Sequence, residues 1–173
     1  MENLEYKINE IAFETAQFLD KTEINKLLGV LASDGVYAMW VWAVDKLEWK
    51  YEEDKEKLKE QDLFKFLEKL SSLTDYLKTN KLKMDNLLEE LSKCTKDINK
   101  LTDEIKNLKK EKQSKEAKQK AQELNEKIKE RNEKLNNFFL NLSKDIDELL
   151  FFKEILERVL ILARYHAKAM GEE

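Results

Sequence analysis

The chain has no proline, three glycines and a single cysteine in 173 residues. So few turn-forming residues exclude a strand-rich fold, whose reversals depend on them. Three glycines cannot build a dinucleotide or phosphate-binding cradle, and no serine sits in a nucleophile elbow. The lone Cys94 rules out an internal disulfide and a cysteine-based zinc site. Histidine is equally scarce: His166 stands alone, so neither a Glu-x-x-His nor a His-x-x-x-His metal pair exists. Long apolar runs are missing too. The longest, Val36 to Val44, is nine residues and too short to span a bilayer. The start MENLEYKINEIAF lacks a basic stretch leading into an apolar one, so no signal peptide is visible. A soluble, cytoplasmic protein without a membrane partner is the expectation.

What the chain does have is charge and leucine. Charged residues make up 39% and hydrophobic residues 42%, the composition of long helices. The net charge of −4 argues against a general polyanion binder but leaves room for a local basic patch. Acidic pairs such as Glu52-Glu53 and Glu89-Glu90 belong on solvated faces in a chain with 36 acids. One nuclease motif of helical proteins, an arginine followed by four to six residues and a histidine, is not met. Seven residues separate Arg158 from His166, and Arg164 is too close. No catalytic residue, metal ligand or cofactor is assigned, and the chain reads as non-enzymatic.

Apolar residues recur at helical spacing nearly throughout. A first helix is expected from about Leu4 to Leu19. Asp20 or Thr22 would cap a second, with Glu23 in its first turn. Ser33-Asp34-Gly35 reads as a junction, glycine permitting a left-handed residue and serine or aspartate a cap. A third helix should run from Val36 to about Gln61, and a fourth from Asp62 to Lys78.

The middle of the chain has a stricter period. Leu87, Leu91, Cys94, Ile98, Leu101, Ile105 and Leu108 alternate spacings of four and three, a heptad seam. Ala121, Leu124, Ile128, Arg131, Leu135, Phe138 and Leu142 repeat it in mirror order. A hairpin folding back near Ser114-Lys115 would set each seam residue against a partner, with arms about 30 Å long. A continuous helix pairing with a second copy is the alternative, since the tip lacks glycine and proline; the mirror symmetry favours the hairpin. Arg131, the one polar seam residue, would face Ile98 and fix the register. Beyond Asp145 a helix apolar on a wide arc wants burial among several others. The expected architecture is therefore all-α: a helical bundle of residues 1–80 and 145–173 with an antiparallel coiled-coil hairpin, residues 81–144, inserted.

Charge is unevenly spread. Residues 1–80 carry 11 Lys and Arg against 17 Asp and Glu, while 81–147 carry 17 against 14. Between Lys106 and Lys120 seven lysines face only Glu111 and Glu116. This span is either a solvated tip or a phosphate- or partner-contacting point. The aromatics are also localised, since all three tryptophans lie between Leu31 and Trp49. On a continuous third helix Val36, Trp40, Val44 or Val41, Leu47 and Tyr51 would face the core. Trp42 and Trp49, seven apart, would share another face and offer a protein interface.

Two blocks resemble a known family. KLLGVLASDGVYAMWVWAVDK, Lys26 to Lys46, is similar to the helix, small-polar-glycine junction and apolar helix of the small helical subunit of the type III-B CRISPR effector, the Cmr complex. FFKEILERVLILARYHAKAM, Phe151 to Met170, is similar to that family's closing apolar helix, with Arg164 at a basic position. Together with Leu63 to Lys78 these blocks cover somewhat under half of the chain. The resemblance implies a non-catalytic scaffold for antiviral defence, its copies stacked along a guide-RNA complex and contacting target RNA. Its partners would be the backbone subunit, further copies of itself, guide RNA and target RNA. Lys26, Lys46, Arg158, Arg164 and Lys168 are the residues placed to touch RNA on this reading. A coiled-coil adaptor without a nucleic-acid role is the rival, and the type III-A small subunit is a near relative of the first reading.

Overall fold

A computed structural model describes residues 3–171, and among them every regular element is helical. Helix α1, Leu4–Phe18, begins at Asn3, whose side-chain oxygen accepts the Glu5 N–H at 2.8 Å. Helix α2, Lys21–Asp34, opens with the expected Asp20 cap in its reciprocal form. The Asp20 carboxylate accepts the Glu23 N–H at 2.7 Å, and the Glu23 carboxylate accepts the Asp20 N–H at 3.0 Å. The junction to α3, Val36–Lys46, is made by Gly35 alone, at φ 95°. Neither serine nor aspartate caps α3, and the Ser33 hydroxyl instead donates back to the Gly29 carbonyl at 2.7 Å.

Two expected helices are shorter than the sequence suggested. The third stops at Lys46 rather than near Gln61, because Leu47 turns extended at φ −73°, ψ 145°. The Trp49 indole N–H then donates to the Val44 carbonyl at 2.7 Å, serving a carbonyl that the helix end would leave free. A short helix α4, Lys55–Lys59, precedes α5, Asp62–Leu73, which gives way to a 3-10 turn, Thr74–Tyr76. The fourth helix thus ends at Leu73, not Lys78. The Lys81 ammonium gathers the carbonyls of Thr74, Asp75 and Leu77 there, and the amides of Thr79 and Asn80 go to Glu148. Helices α6, Met84–Lys110, α7, Ser114–Leu142, and α8, Ile146–Ala169, complete the chain.

The chain divides into two units. The first holds α1, α2, α3, α5, α8 and the last turn of α7. In it α8 packs against α1 and α2, the burial its wide apolar arc required. Trp40 is fully buried and stacks on Phe139 with ring centroids 4.5 Å apart and planes 14° off parallel. Phe138 meets both Phe139 and Phe152 edge-on, at 5.0 and 6.0 Å. This aromatic group fastens the end of α7 to the bundle, so residues 138–142 belong with the first unit.

The second unit holds residues 50–59 and 85–137. Leu87, Leu91, Cys94, Ile98, Leu101 and Ile105 are buried along α6. Ion pairs join Glu90 to Lys134, Asp97 to Lys127 and Glu104 to Lys120, at 3.7, 3.9 and 3.1 Å. Each step of seven residues along α6 matches seven back along α7, so the two helices run antiparallel. The turn between them is a tight C-terminal cap. Gln113 N–H donates to Leu108 carbonyl at 3.0 Å and Lys112 N–H to Lys109 carbonyl at 3.3 Å, with Lys112 left-handed at φ 59°.

Residues 50–59 form a strap over this pair rather than a continuation of α3. The Tyr51 ring lies 3.6 Å from the Arg131 guanidinium, and its hydroxyl donates to Asn132 at 3.0 Å. Ser92 donates to the Glu53 carbonyl, and Asn99 to the Glu53 carboxylate at 2.8 Å. Arg131 joins the strap to α6. It donates to the Thr95 hydroxyl at 3.3 Å while its far face carries Tyr51.

Two predictions rest on this packing. Replacing Trp40 with alanine empties a fully enclosed stack and is expected to cost about 3–5 kcal/mol in chemical denaturation. The same change at half-exposed Trp42 should cost less than half as much. Conversely, Lys112→Gly relieves a left-handed lysine and should stabilise the chain by about 1 kcal/mol; a destabilising result would mean that the lysine side chain holds the turn.

Candidate interaction surfaces

The basic residues proposed for RNA contact all fall in the first unit, but their circumstances differ. Lys26 is exposed on α2, and Lys46 closes α3 with its ammonium 3.5 Å from Asp45. On α8 the arc facing away from the core carries exposed Glu154, Tyr165 and Lys168 and half-buried Arg158 and Ile161, at helical spacings of four and three. Arg158 is already engaged by Glu5 of α1. Arg164, at the edge of the arc, has no acidic partner among the described residues. Its Nε is buried without a hydrogen-bond acceptor, and its guanidinium lies 5.7 Å from the Tyr165 ring centre. Lys168 follows one turn on and is exposed.

The two tryptophans do not share a helix face. Trp42 is half-exposed on α3, whereas Trp49 lies beyond the helix end with its indole N–H bonded to Val44 and its ring 5.8 Å from Phe64, edge-on. The outward apolar pair of α3 is instead Tyr37 and Val41, 39% and 48% exposed. One turn apart, these two could have been found as an i, i+4 pair opposite Trp40 and Ala43. With α3 ending at Lys46, Val41 lies on the outer face of the helix.

His166 packs its ring against Phe13 at 5.5 Å, nearly perpendicular. Phe13, Tyr6, Tyr165 and Met170 are large apolar side chains exposed on α1 and at the end of α8. The sequence did not single out Tyr6 or Phe13, since each sits among residues of an ordinary amphipathic helix. Among the described residues no three His, Cys, Asp or Glu side chains gather as a metal-binding group. No helix there is long and apolar enough to cross a membrane.

One acidic residue is more deeply built in than its sequence suggested. Glu148 is buried in the first turn of α8, which Asp145 caps by accepting the Glu148 N–H at 3.1 Å. Its carboxylate accepts the Thr79 N–H at 2.6 Å, the Asn80 N–H at 3.1 Å and the Asn80 side-chain amide. Burial alone would raise its pKa. The amide donors of Thr79, Asn80 and Lys78 outweigh this and hold it below the ordinary value of 4.5. Beside it lies an open cleft of about 360 Å³ lined by Tyr76, Lys78, Asp145, Asp147 and Phe151 among others.

Comparison with family models, with characterised proteins and with solved structures finds no match to this chain.

A carboxyl held below its ordinary pKa stabilises the folded state fully above that ordinary value and loses the contribution as pH falls through the folded one. Glu148→Gln should therefore melt at a lower temperature than the parent at pH 7, with the gap closing once the pH drops below 4.5. Thermal unfolding followed by circular dichroism from neutral to acid pH measures this; a gap independent of pH would show that charge is not what holds the 78–80 segment.

Proposed function

We propose that this chain is a non-catalytic, RNA-contacting scaffold subunit of an RNA-guided effector of the type III-B CRISPR class, acting in antiviral defence. The resemblance of Lys26–Lys46 and Phe151–Met170 to that family's small subunit suggests it. The observation that supports it most is Arg164. A guanidinium with no acidic partner among the described residues, set beside Tyr165 and one turn from Lys168, has the chemistry for phosphate and base contact. Residues 81–144 would then be a coiled-coil hairpin arm inserted into the bundle, and Trp42, with Tyr37 and Val41, would face a neighbouring copy. Trp49, whose indole is engaged at the end of α3, would contribute less to that surface. Guide RNA, target RNA, the backbone subunit and further copies of itself are the partners, in the cytoplasm.

A second reading has its own support. The heptad-spaced ion pairs between α6 and α7 suit a rigid arm that recruits a protein partner, with no role for nucleic acid.

Affinity purification of the tagged chain, expressed together with its neighbouring genes, separates the two. Recovery of a guide-RNA ladder with other effector subunits is expected; a chain that recovers neither overturns the first reading. Arg164→Ala with Lys168→Ala should then weaken target-RNA binding about tenfold, as measured by fluorescence anisotropy, while leaving the complex assembled. Deleting 81–144 behind a short linker tests the second reading, since partner binding that survives the deletion removes the arm as the recruiting element.

A further inference from the structure

The lysines of α7 fall into two sets. Lys120, Lys127, Lys129 and Lys134 each lie within 4 Å of a carboxylate, from Glu104, Asp97 or Glu130, Glu133, and Glu90 or Glu130. Lys115 and Lys118, in the first turns, are exposed and have no ion-pair partner among the described residues. Lys112, in the turn just before them, is exposed and unpaired as well.

Local physics accounts for only part of the basic tip. Lys109 and Lys110 close α6, where the partial negative charge of a helix C-terminus favours cations. Lys112, Lys115 and Lys118 have no such reason. They surround the N-terminus of α7, whose partial positive charge disfavours them and would favour Asp or Glu. Lys112 also occupies a left-handed position, φ 59°, that glycine or asparagine ordinarily fills. Solubility does not explain the choice either, because acidic residues would serve it better while suiting the helix end. All three lysines are thus set against the helix field and Lys112 against the backbone as well, and the tip's own acids, Glu111 and Glu116, form no ion pair with them among the described residues.

The composition of the tip indicates the kind of anion. A protein interface is anchored by aromatic side chains and arginine, and residues 106–118 contain neither. Their apolar members are Leu108 and Ala117, and Ala117 is buried. Lysine point charges without aromatic or bidentate partners can neutralise phosphates but cannot read bases. We propose that the α6–α7 tip grips the phosphodiester backbone of a nucleic acid, independently of sequence, through Lys112, Lys115 and Lys118. This contact lies in the second unit and does not rest on Arg164 or the other basic residues of the first.

Fluorescence anisotropy of the full chain with a short labelled RNA, its DNA counterpart and a duplex, across a salt series, tests it. The triple variant Lys112→Gln, Lys115→Gln, Lys118→Gln should bind RNA and DNA about tenfold more weakly at low salt. It should also flatten the log–log salt dependence by about 2, the value for three lost single-strand phosphate contacts. Matched helicity by circular dichroism confirms that the variant is folded. The control Lys93→Gln, Lys96→Gln, Lys100→Gln removes equal charge from the side of α6 and should change little. Unchanged affinity in the tip variant overturns the proposal, and so does an equal loss in the control, which would reflect net charge alone. A loss confined to RNA overturns a backbone-only contact. Displacement of RNA by polyglutamate at matched charge also overturns it, in favour of an acidic protein surface. Arg164→Ala with Lys168→Ala, run alongside, keeps the two contacts apart: its failure to weaken RNA binding counts against the α8 site and leaves the tip result standing.

Discussion

A helix end leaves four amides or four carbonyls without partners, and burying them unsatisfied costs more than most single contacts return. Many proteins meet this demand with proline before helices and glycine after them. Without proline and with only three glycines, this chain meets it with side chains. Asp20 and Glu23 cap α2 reciprocally, Asp145 caps α8, and the Trp49 indole takes a carbonyl at the end of α3. Lys81 collects the carbonyls after α5 while Glu148 collects the amides that follow. Where neither glycine nor a capping side chain is present, at Lys112, the backbone itself takes the left-handed conformation. The positions of the chain breaks follow from where these polar groups sit.

That dependence explains what the sequence made legible. Asp20, Thr22 and Glu23 lie just before an apolar run, so the start of the second helix was readable to within two residues, and Asp20 is the cap. Gly35 is one of three glycines, and its junction stood out against the rest. The apolar period along α6 was readable, and Leu87, Leu91, Cys94, Ile98, Leu101 and Ile105 are buried there; of the matching positions on α7 only Leu135 and Leu142 are buried. The ends of α3 and α5 were not readable, because the groups that stop them are remote or atypical. A tryptophan is no standard C-terminal cap, and Glu148 is 68 residues away from Asn80. Helical spacing ran on through Trp49 and Tyr51, and nothing local contradicted it.

The same limit shaped the reading of the surface. Trp42 and Trp49 made a common face only if one helix carried both; once the helix ends at Lys46, Trp49 becomes a capping residue and Tyr51 a lid on Arg131. Leu88, Ser92 and Thr95 form a second buried row on α6 beside the heptad seam. Only a segment folded over the helix explains it, and Ser92 shows which, since it bonds the Glu53 carbonyl. Arg131 was singled out as the one polar seam residue, and it is the residue through which seam and strap meet.

Charge was legible in number but not in consequence. Counting residues gives an acidic N-terminal half and a basic middle, yet counts treat every lysine alike. The structure separates those that neutralise a carboxylate from those that do not, and within the second group separates Lys109 and Lys110, which a helix C-terminus welcomes, from Lys115 and Lys118, which a helix N-terminus opposes. Arg158 and Arg164 divide in the same way, one answered by Glu5 and the other by no acid among the described residues. In a chain this rich in both signs, net charge identifies no surface, because some cations are paired with a carboxylate and others are not. The informative cations are those that remain unanswered where an acid would have been easy to supply. Their cost falls on the folded chain, and an anion bound from outside it would offset that cost.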